Sequence, residues 1–290
     1  MFLEQLSNGI ALGSLYALTA VGYTMVYGII RLINFAHGDI YMMGAFFAYT
    51  AIAYFNLPLV PSFLIGMVCA ALLGVFIAKF AYTPVFNAPK INLFLCAIGT
   101  AIFLENFAML VWGPETQSFP TMIKNEIYTF GGFKFTKLQA VILITSILLV
   151  LILSYIVKKT KIGRAMRCAS QDMVAARLMG INTNKVIFIT FALGSSLGAA
   201  AGTLVAMYYK AVYPMMGFSA GLKAFVSAVI GGIGSITGAM FGGLIMGIAE
   251  SLGAAYISSG YRDAIAFIIL IIILLFKPTG LFGKTVKEKV

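Results

Sequence analysis

The sequence predicts an all-α, polytopic membrane protein with about eight or nine transmembrane helices, a glycine-rich broken segment and a short cytoplasmic helix. Of the 290 residues, 61% are hydrophobic and 10% are charged, and the mean hydropathy is +1.00, whereas a soluble domain carries about 25% charged residues. Uncharged stretches long enough to cross a hydrocarbon core of about 30 Å recur along the chain. Charged residues are concentrated in a few short loops. We therefore expect residues 1–290 to form a single transmembrane domain.

The apolar stretches follow one another along most of the chain. The first ends at a polar cluster, residues 31–39, and the fourth contains Glu105 and Asn106 well inside it. Segments rich in proline, glycine or polar residues separate the stretches and favour loops. The predicted spans cover residues 5–30, 40–55, 57–78, 93–112, 138–157, 186–209, two spans within 217–253, and 264–276.

Glycines recur at the spacing that lets helices pack closely. Gly9 and Gly13 form a small-x-x-x-small face in the first span, and ten glycines lie within residues 217–253. The run IGGIGS in that stretch predicts a break between half-helices, because irregular backbone survives at membrane depth only where protein or a wet cavity satisfies it. A polar break followed by a helix also occurs at residues 34–44. Transporters built from repeats place paired broken helices at their binding site.

Charge asymmetry predicts the orientation of the chain. Residues 158–185 include seven basic residues and one acidic residue, and the tail at 277–290 carries a net charge of +3. Such an excess of lysine and arginine is typical of cytoplasmic segments. The loop at 113–137, one span earlier, is then external. The N-terminus is external if residues 31–39 form a cytoplasmic turn; if they dip into the bilayer and return, the number of crossings changes.

A short capped helix is predicted within the cytoplasmic loop, at residues 171–179. Ser170 is a good N-cap, Asp172 lies in the first turn and Gly180 can close the helix. Val174 and Leu178 share one face and make it apolar, although the helix is too short to span a bilayer. Composition leaves two alternatives for this face: it rests on anionic lipid, or it docks a soluble partner.

Charged residues within apolar spans are functional candidates, because each costs roughly 2.5–3.5 kcal/mol at a helix centre. Asp39, Glu105 and Glu250 could each carry protons in a secondary transporter. Lys223 could instead pair with Glu250. The adjacent Arg262 and Asp263 are typical of an ion pair at a helix start. We place the candidate translocation path between residues 34–39, the Glu105 helix and the glycine-rich break at 231–235.

Other function classes find little support in the sequence. The net charge of +11 belongs mostly to the loop at 158–185 and the tail, so it indicates topology rather than nucleic-acid binding. His37 is the single histidine and the three cysteines lack ligand spacing, which argues against a metal site. An intramembrane enzyme could be built only around His37. Gly283-Lys284-Thr285 ends like a Walker A motif, but it follows a membrane helix and lacks the first glycine.

Four blocks, taken in their order along the chain, carry a family resemblance. They are INFAHGDIYMMGAF at 33–46, GRAMRCASQDMVAARLMGI at 163–181, KAFVSAVIGGIGSITGAMFGG at 223–243 and KPTGLFG at 277–283. Together they resemble the permease subunits of branched-chain amino acid ABC importers, the LivH type. The first block also resembles the related permeases for urea, so urea or a short amide is an alternative substrate.

The resemblance implies a bacterial inner-membrane permease domain without cofactors and without enzymatic activity of its own. It implies a second, similar permease subunit, two cytoplasmic ABC ATPase subunits and an external substrate-binding protein as partners. It also favours the docking alternative, because the cytoplasmic loop of such importers supplies a coupling helix. The expected ATPase-coupling residues are Arg164, Arg167, Asp172, Val174, Leu178 and Gly180. The candidate path residues are Asn34, His37, Asp39, Glu105, Asn106, Gly231, Gly232, Gly234 and Ser235.

Overall fold

The computed structural model describes residues 2–31, 34–86, 88–120, 123, 126–130 and 133–283, and this part of the chain forms a helical bundle with two small strand pairs. A π-helical turn, Ala78–Tyr82, joins α3 to α4, and a 3-10 turn, Ser259–Tyr261, precedes α12. The helices are α1 (Phe2–Ile30), α2 (His37–Ala53), α3 (Leu59–Ile77), α4 (Thr83–Val85), α5 (Lys90–Trp112), α6 (Lys137–Lys159), α7 (Lys161–Gln171), α8 (Met173–Leu178), α9 (Thr183–Tyr209), α10 (Met216–Gly231), α11 (Ile236–Tyr256) and α12 (Arg262–Phe276). The strands are β1 (Gln117–Ser118), β2 (Ile127–Phe130), β3 (Phe133–Thr136) and β4 (Ala211–Val212).

The bundle confirms the predicted polytopic all-α fold. Within the described ranges, seven helical segments have the length and apolar composition needed to cross a membrane. Two more helices, α2 and α10, are shorter, with 17 and 16 residues. Counting them gives nine helical passages through the bundle in this part of the chain, against the eight or nine spans predicted. The last three, α10 to α12, agree with the three crossings expected after Tyr209.

The centre of the bundle is α1, which is buried along nearly its whole length. It packs in antiparallel fashion against α11 through glycines. A side chain on Gly9 would come within 2.8 Å of the Ile248 Cα, and one on Gly13 within 2.8 Å of the Leu244 Cα. The close-packing face predicted for the first span is therefore present. In contrast, α5 and α12 expose most of their apolar residues and lie at the periphery.

The strands lie at one end of the bundle. β1 pairs with β4, β2 pairs with β3, and both pairs are antiparallel. The Thr136 hydroxyl and the Gln139 side chain form a capping box that starts α6. The end of α2 reaches the same region, because the Trp112 indole donates to the Thr50 hydroxyl at 2.8 Å. We refer to this side as the strand end.

The opposite end, here called the loop end, carries α7, α8 and the last described residues. Arg31, just after α1, donates to the carbonyl oxygens of Ser170 and Gln171 in α7. The amides of Leu281 and Phe282 donate to the carbonyl oxygens of Ile230 and Gly231, so the segment after α12 lies against the turn between α10 and α11. The tail from residue 284 onward lies outside the described residues.

The glycine-rich stretch is interrupted at residues 232–235, as predicted, and the helices on either side of the interruption form a hairpin whose turn lies at the loop end. Gly231 lies against Gly238 and Gly242 against Ser227, so α10 and α11 run antiparallel in close contact. The turn between them needs positive φ angles, +99° at Gly232 and +97° at Gly234. Glycine adopts these angles without a steric cost. Each helix of the hairpin is a separate passage through the bundle.

The described residues of the polar cluster, Arg31 and residues 34–39, form a partial re-entry rather than a simple turn. Arg31 is exposed at the loop end, whereas His37 is buried beside Gly22. A Cβ atom on Gly22 would lie 3.0 Å from the His37 ring. Gly22 is eight residues before the end of α1, which at 1.5 Å per residue is about 12 Å into the bundle. α2 therefore begins inside the bundle and continues to the strand end. The chain then continues to the strand end instead of turning back to the loop end. The number of crossings, and with it the predicted side of each loop, is therefore unchanged.

Candidate functional site

Three predicted path residues, Asn34, His37 and Asp39, meet at the buried start of α2. The Asn34 side-chain oxygen accepts hydrogen bonds from the Ala36 amide at 3.1 Å and the Tyr82 hydroxyl at 2.6 Å. This turn shapes the chain immediately before the helix. All three candidate side chains are almost fully buried.

Several polar atoms around this helix start have no hydrogen-bond partner among the residues that the structure describes. Asn34, His37 and Asp39 each have one such atom, and Tyr23 of α1, whose ring centroid lies 5.5 Å from that of His37, adds a hydroxyl group. An unsatisfied buried polar group costs about 1–3 kcal/mol. Such groups call for an explanation and concentrate where function requires them. Together with a helix N-terminus inside the bundle, they make this region suitable for contact with a polar solute.

Most of the other predicted path residues lie away from the start of α2. Glu105 is half-buried on peripheral α5 and interacts electrostatically with Asp39. Asn106 is exposed, and its amide donates to the Ile102 carbonyl oxygen of its own helix at 2.7 Å. The glycines lie elsewhere: Gly231, Gly232, Gly234 and Ser235 form the end and turn of the α10–α11 hairpin at the loop end.

A second polar cluster joins α1, α10, α11 and α12. Lys223 Nζ lies 3.0 Å from Glu250 Oε1 and 3.0 Å from Asp263 Oδ1, and the Tyr16 hydroxyl donates to Glu250 Oε2 at 2.8 Å. The pair of Lys223 with Glu250 that the sequence suggested is therefore present. The expected pair of Arg262 with Asp263 is corrected, because Asp263 instead contacts Lys223 across the bundle.

The basic loop at 158–185 contains two helices, α7 and α8, and not one helix at 171–179. Asp172 is the cap between them: its carboxylate accepts from the amides of Val174 and Ala175 at 2.8 and 3.0 Å. Ser170 was predicted as the N-cap but lies inside α7, where its hydroxyl donates to the Arg167 carbonyl oxygen. The N-cap of α8 is thus two residues later than predicted, because α7 continues through the predicted start of the helix, up to Gln171.

α8 ends as predicted at Gly180. This glycine has a φ of +81°, its amide donates to the Arg177 carbonyl oxygen, and the next amide, of Ile181, donates to the Ala176 carbonyl oxygen. The two bonds form a Schellman motif, which closes a helix on a left-handed residue. Ala176, on the inner side of α8, is buried. The short helix is thus held at both ends and on its inner side.

The outer side of α8 is apolar and exposed. Val174, Leu178 and Met179 are 70%, 83% and 83% exposed. Nearby on α7, the predicted coupling residues Arg164 and Arg167 are also exposed, and Arg167 donates to the Val157 carbonyl oxygen. The structure therefore places the predicted coupling residues on or next to α7 and α8 at the loop end, where α8 exposes an apolar patch.

Sequence reasoning missed two participants in these clusters, Tyr16 and Tyr82, and assigned a third, Asp263, to the wrong partner. The two tyrosines carry the signal of a polar tip within an apolar helix, since a buried tyrosine hydroxyl usually finds a partner. Neither sequence position indicates which partner it meets. Within the described residues, no group of three or more histidine, cysteine or acidic side chains could hold a metal ion.

Comparisons with known proteins agree with this architecture. Residues 5–274 match the family model described as the branched-chain amino acid transport system permease component. The chain is 43% identical to the high-affinity branched-chain amino acid transport system permease protein LivH of Escherichia coli K12, covering 100% of this chain and 98% of the relative. It is 41% identical to the corresponding protein BraD of Pseudomonas aeruginosa, with the same coverage.

Two further similarities are more distant. The ribose import permease protein RbsC of Haemophilus influenzae is 35% identical over 41% of this chain and 40% of its own length. Among solved structures, PsaBC from Streptococcus pneumoniae in complex with Fab aligns with a TM-score of 0.53 at 10% identity, covering 97% of this chain and 94% of that chain. The second likeness concerns the fold alone.

Proposed function

Because this chain belongs to the family of branched-chain amino acid transport system permease components, we propose that it imports branched-chain amino acids as one membrane-spanning subunit of an ABC importer. The observation that carries the proposal is similarity along the whole chain to permeases of that name. Members of this family are transport components and not enzymes. The protein is a multi-pass inner-membrane protein, and we propose that its C-terminus is cytoplasmic.

We propose four kinds of partner for the chain. A second permease subunit completes the translocation path, two ATPase subunits bind at the loop end, and an external substrate-binding protein delivers the amino acid at the strand end. The charge of the loop and the exposed apolar residues of α8 support the assignment of ends. Copurification from the membrane, followed by identification of the bound chains, tests this composition directly.

The proposed coupling surface is the exposed side of α7 and α8. Val174 and Leu178 would enter a cleft of the ATPase, while Arg164 and Arg167 steer the approach. Asp172 and Gly180 fix the two ends of α8, so the helix can move as one body when the ATPase moves. The exposed apolar patch supports docking because the same surface would otherwise be covered only by water or lipid headgroups.

The proposed path runs past the start of α2, where Asn34, His37 and Asp39 lie. Glu105 and Asn106 would line its peripheral side on α5. Gly231, Gly232, Gly234 and Ser235 would lie at its cytoplasmic exit, in the hairpin turn next to the coupling surface. The unpartnered polar atoms and the interrupted helix support this location.

Uptake of labelled L-leucine into cells that express the whole transport system tests the proposal. We expect uptake to stop when ATP is depleted while the proton gradient is maintained. The matched measurement collapses the proton gradient while ATP is maintained, and uptake should then persist. Loss of uptake in the second measurement alone would favour a proton-coupled transporter that uses Asp39, Glu105 or Glu250. Uptake of urea or short amides, with none of leucine, would assign the alternative substrate.

A further inference from the structure

A cavity of about 320 Å³ lies between α1, α9, α10 and α11, towards the strand end of the bundle. Its charged lining residues are Lys223, Glu250 and Arg262, and Ser219 and four tyrosines, among them Tyr16, add hydroxyl groups. The mouth is marked by Tyr209 and Tyr213, which are 48% and 41% exposed, and the floor by Glu250, which is 1% exposed. The volume is at the lower end of the range for small-molecule pockets, about 300–1,000 Å³.

The charges around this cavity balance. Lys223 and Arg262 contribute two positive charges, and Glu250 and Asp263 contribute two negative charges. An occupant with a net charge would upset this balance in a poorly hydrated place, where uncompensated charge is costly. A zwitterion would preserve it. The cavity also offers charged groups of both signs, so a molecule with one ammonium group and one carboxylate group would find a partner for each.

The ion pairs can also open to admit such a molecule. The Asp263 side chain is 70% exposed, and an exposed ion pair contributes little stability. Lys223 can therefore exchange Asp263 for the carboxylate of an occupant while it keeps its contact with Glu250. Arg262 offers a second donor, because its Nε has no hydrogen-bond partner among the described residues.

The rest of the lining is apolar. Leu12, Val205, Met216 and Ala220 face the cavity beside the tyrosine rings. These groups suit an aliphatic side chain, which gains about 25 cal/mol for each Å² removed from water. They offer nothing to compensate a charged side chain.

We propose that this cavity is a transit site for an α-amino acid with an uncharged aliphatic side chain. The carboxylate of the amino acid lies against Lys223 and Arg262, its ammonium group against Glu250 and the released Asp263, and its side chain against the apolar wall. This inference rests on the proposed function, since it assigns a place in this chain to the proposed substrate.

The test uses the complete transport complex in proteoliposomes and compares initial uptake of L-leucine with that of L-valine. Ala220→Leu adds volume to the apolar wall. It should lower the leucine-to-valine uptake ratio about tenfold, because one methylene in a filled pocket discriminates by roughly 10–200-fold. Ala53→Leu, at an exposed position near the end of α2, is the control and should keep the parental ratio.

A second variant, Glu250→Gln, removes the floor charge while Lys223 keeps Asp263 and Tyr16 keeps a side-chain oxygen to contact. The KM for leucine should rise at least tenfold in fully assembled complex. Equal loss of leucine and valine uptake in Ala220→Leu, or a parental KM in Glu250→Gln, would overturn the transit site. If the parental complex imports neither amino acid, the failure belongs to the proposed function and not to this cavity.

Discussion

At the scale of single residues, the glycines between α1 and α11 determine how closely these helices approach. A side chain at Gly247 would overlap the Gly13 backbone, and Gly243 lies equally close to Ala17. Helices in a bilayer gain little from hydrophobic burial against each other, so van der Waals packing at such seams supplies much of their association. The position of the central helix therefore depends on the absence of a few methyl groups.

The first prediction concerns this seam. Gly247→Ala should destabilise the purified protein by about 1–3 kcal/mol, the range for overpacking of a well-packed core, because backbone and not a flexible side chain occupies the space. The measurement is thermal unfolding in detergent by size-exclusion fluorescence. Gly99→Ala on α5 is the matched control, since a side chain there meets no atom within 4 Å. Equal melting temperatures for the two variants would contradict the seam.

Of two ion pairs predicted from the sequence, the pair of Lys223 with Glu250 is present, and the pair of Arg262 with Asp263 was wrong. Lys223 and Glu250 could be paired because both are isolated charges in one glycine-rich apolar stretch. Asp263 was assigned to its neighbour Arg262, since adjacent opposite charges at a helix start favour that interpretation. Its contact with Lys223 depends on where α12 returns against α10, which no local pattern specifies.

At the scale of elements, α8 is too short to be stable as an isolated helix. Its six residues are held by the Asp172 cap, the Gly180 Schellman motif and the burial of Ala176. These restraints leave the face of Val174 and Leu178 free for a partner. A short helix fixed in this way transmits a displacement with little bending.

The second prediction concerns this face. Val174→Asp combined with Leu178→Asp should leave the chain folded and inserted, because both side chains are exposed. It should abolish ATP hydrolysis stimulated by the binding protein in the reconstituted complex, since two desolvated carboxylates oppose docking. Val174→Ile with Leu178→Met is the conservative control and should retain stimulation. Near-parental hydrolysis in the double aspartate variant would indicate a helix that rests on lipid.

The existence and end of this helix could be predicted from sequence, but its start could not. Ser170 and Asp172 are both good N-caps, and cap chemistry alone does not choose between them. The choice is made by α7, whose Gly163 and Met166 are buried at the loop end and whose helical hydrogen bonds continue to Gln171. Glycine at 180 was a clearer signal, because few other residues adopt its backbone conformation.

At the scale of the whole molecule, the two ends of the bundle differ in chemistry. The loop end collects the basic loop, the hairpin turn and the segment after α12, while the strand end carries both strand pairs. Charge and hydropathy could predict this division and the number of spans, because both follow from the cost of placing charge in lipid. The partial re-entry before α2 and the path candidates it brings together depend on helix packing. The sequence therefore identified Asn34, His37 and Asp39 as candidates. It could not show that Gly231–Gly234 lie elsewhere, in the hairpin turn at the loop end.

The last prediction concerns the orientation of the molecule. Lys161 and Thr116 are exposed at opposite ends, and the excess of basic residues near Lys161 predicts that its end faces the cytoplasm. In a Cys168→Ser background, which removes the exposed native thiol, Lys161→Cys should react with an impermeant maleimide only after the cells are opened. Thr116→Cys should react in intact cells. The parental protein, which keeps the exposed Cys168 on α7, is a separate control, and its labelling should follow that of Lys161→Cys. Labelling of Lys161→Cys in intact cells would reverse the orientation and move the proposed ATPase surface to the wrong side of the membrane.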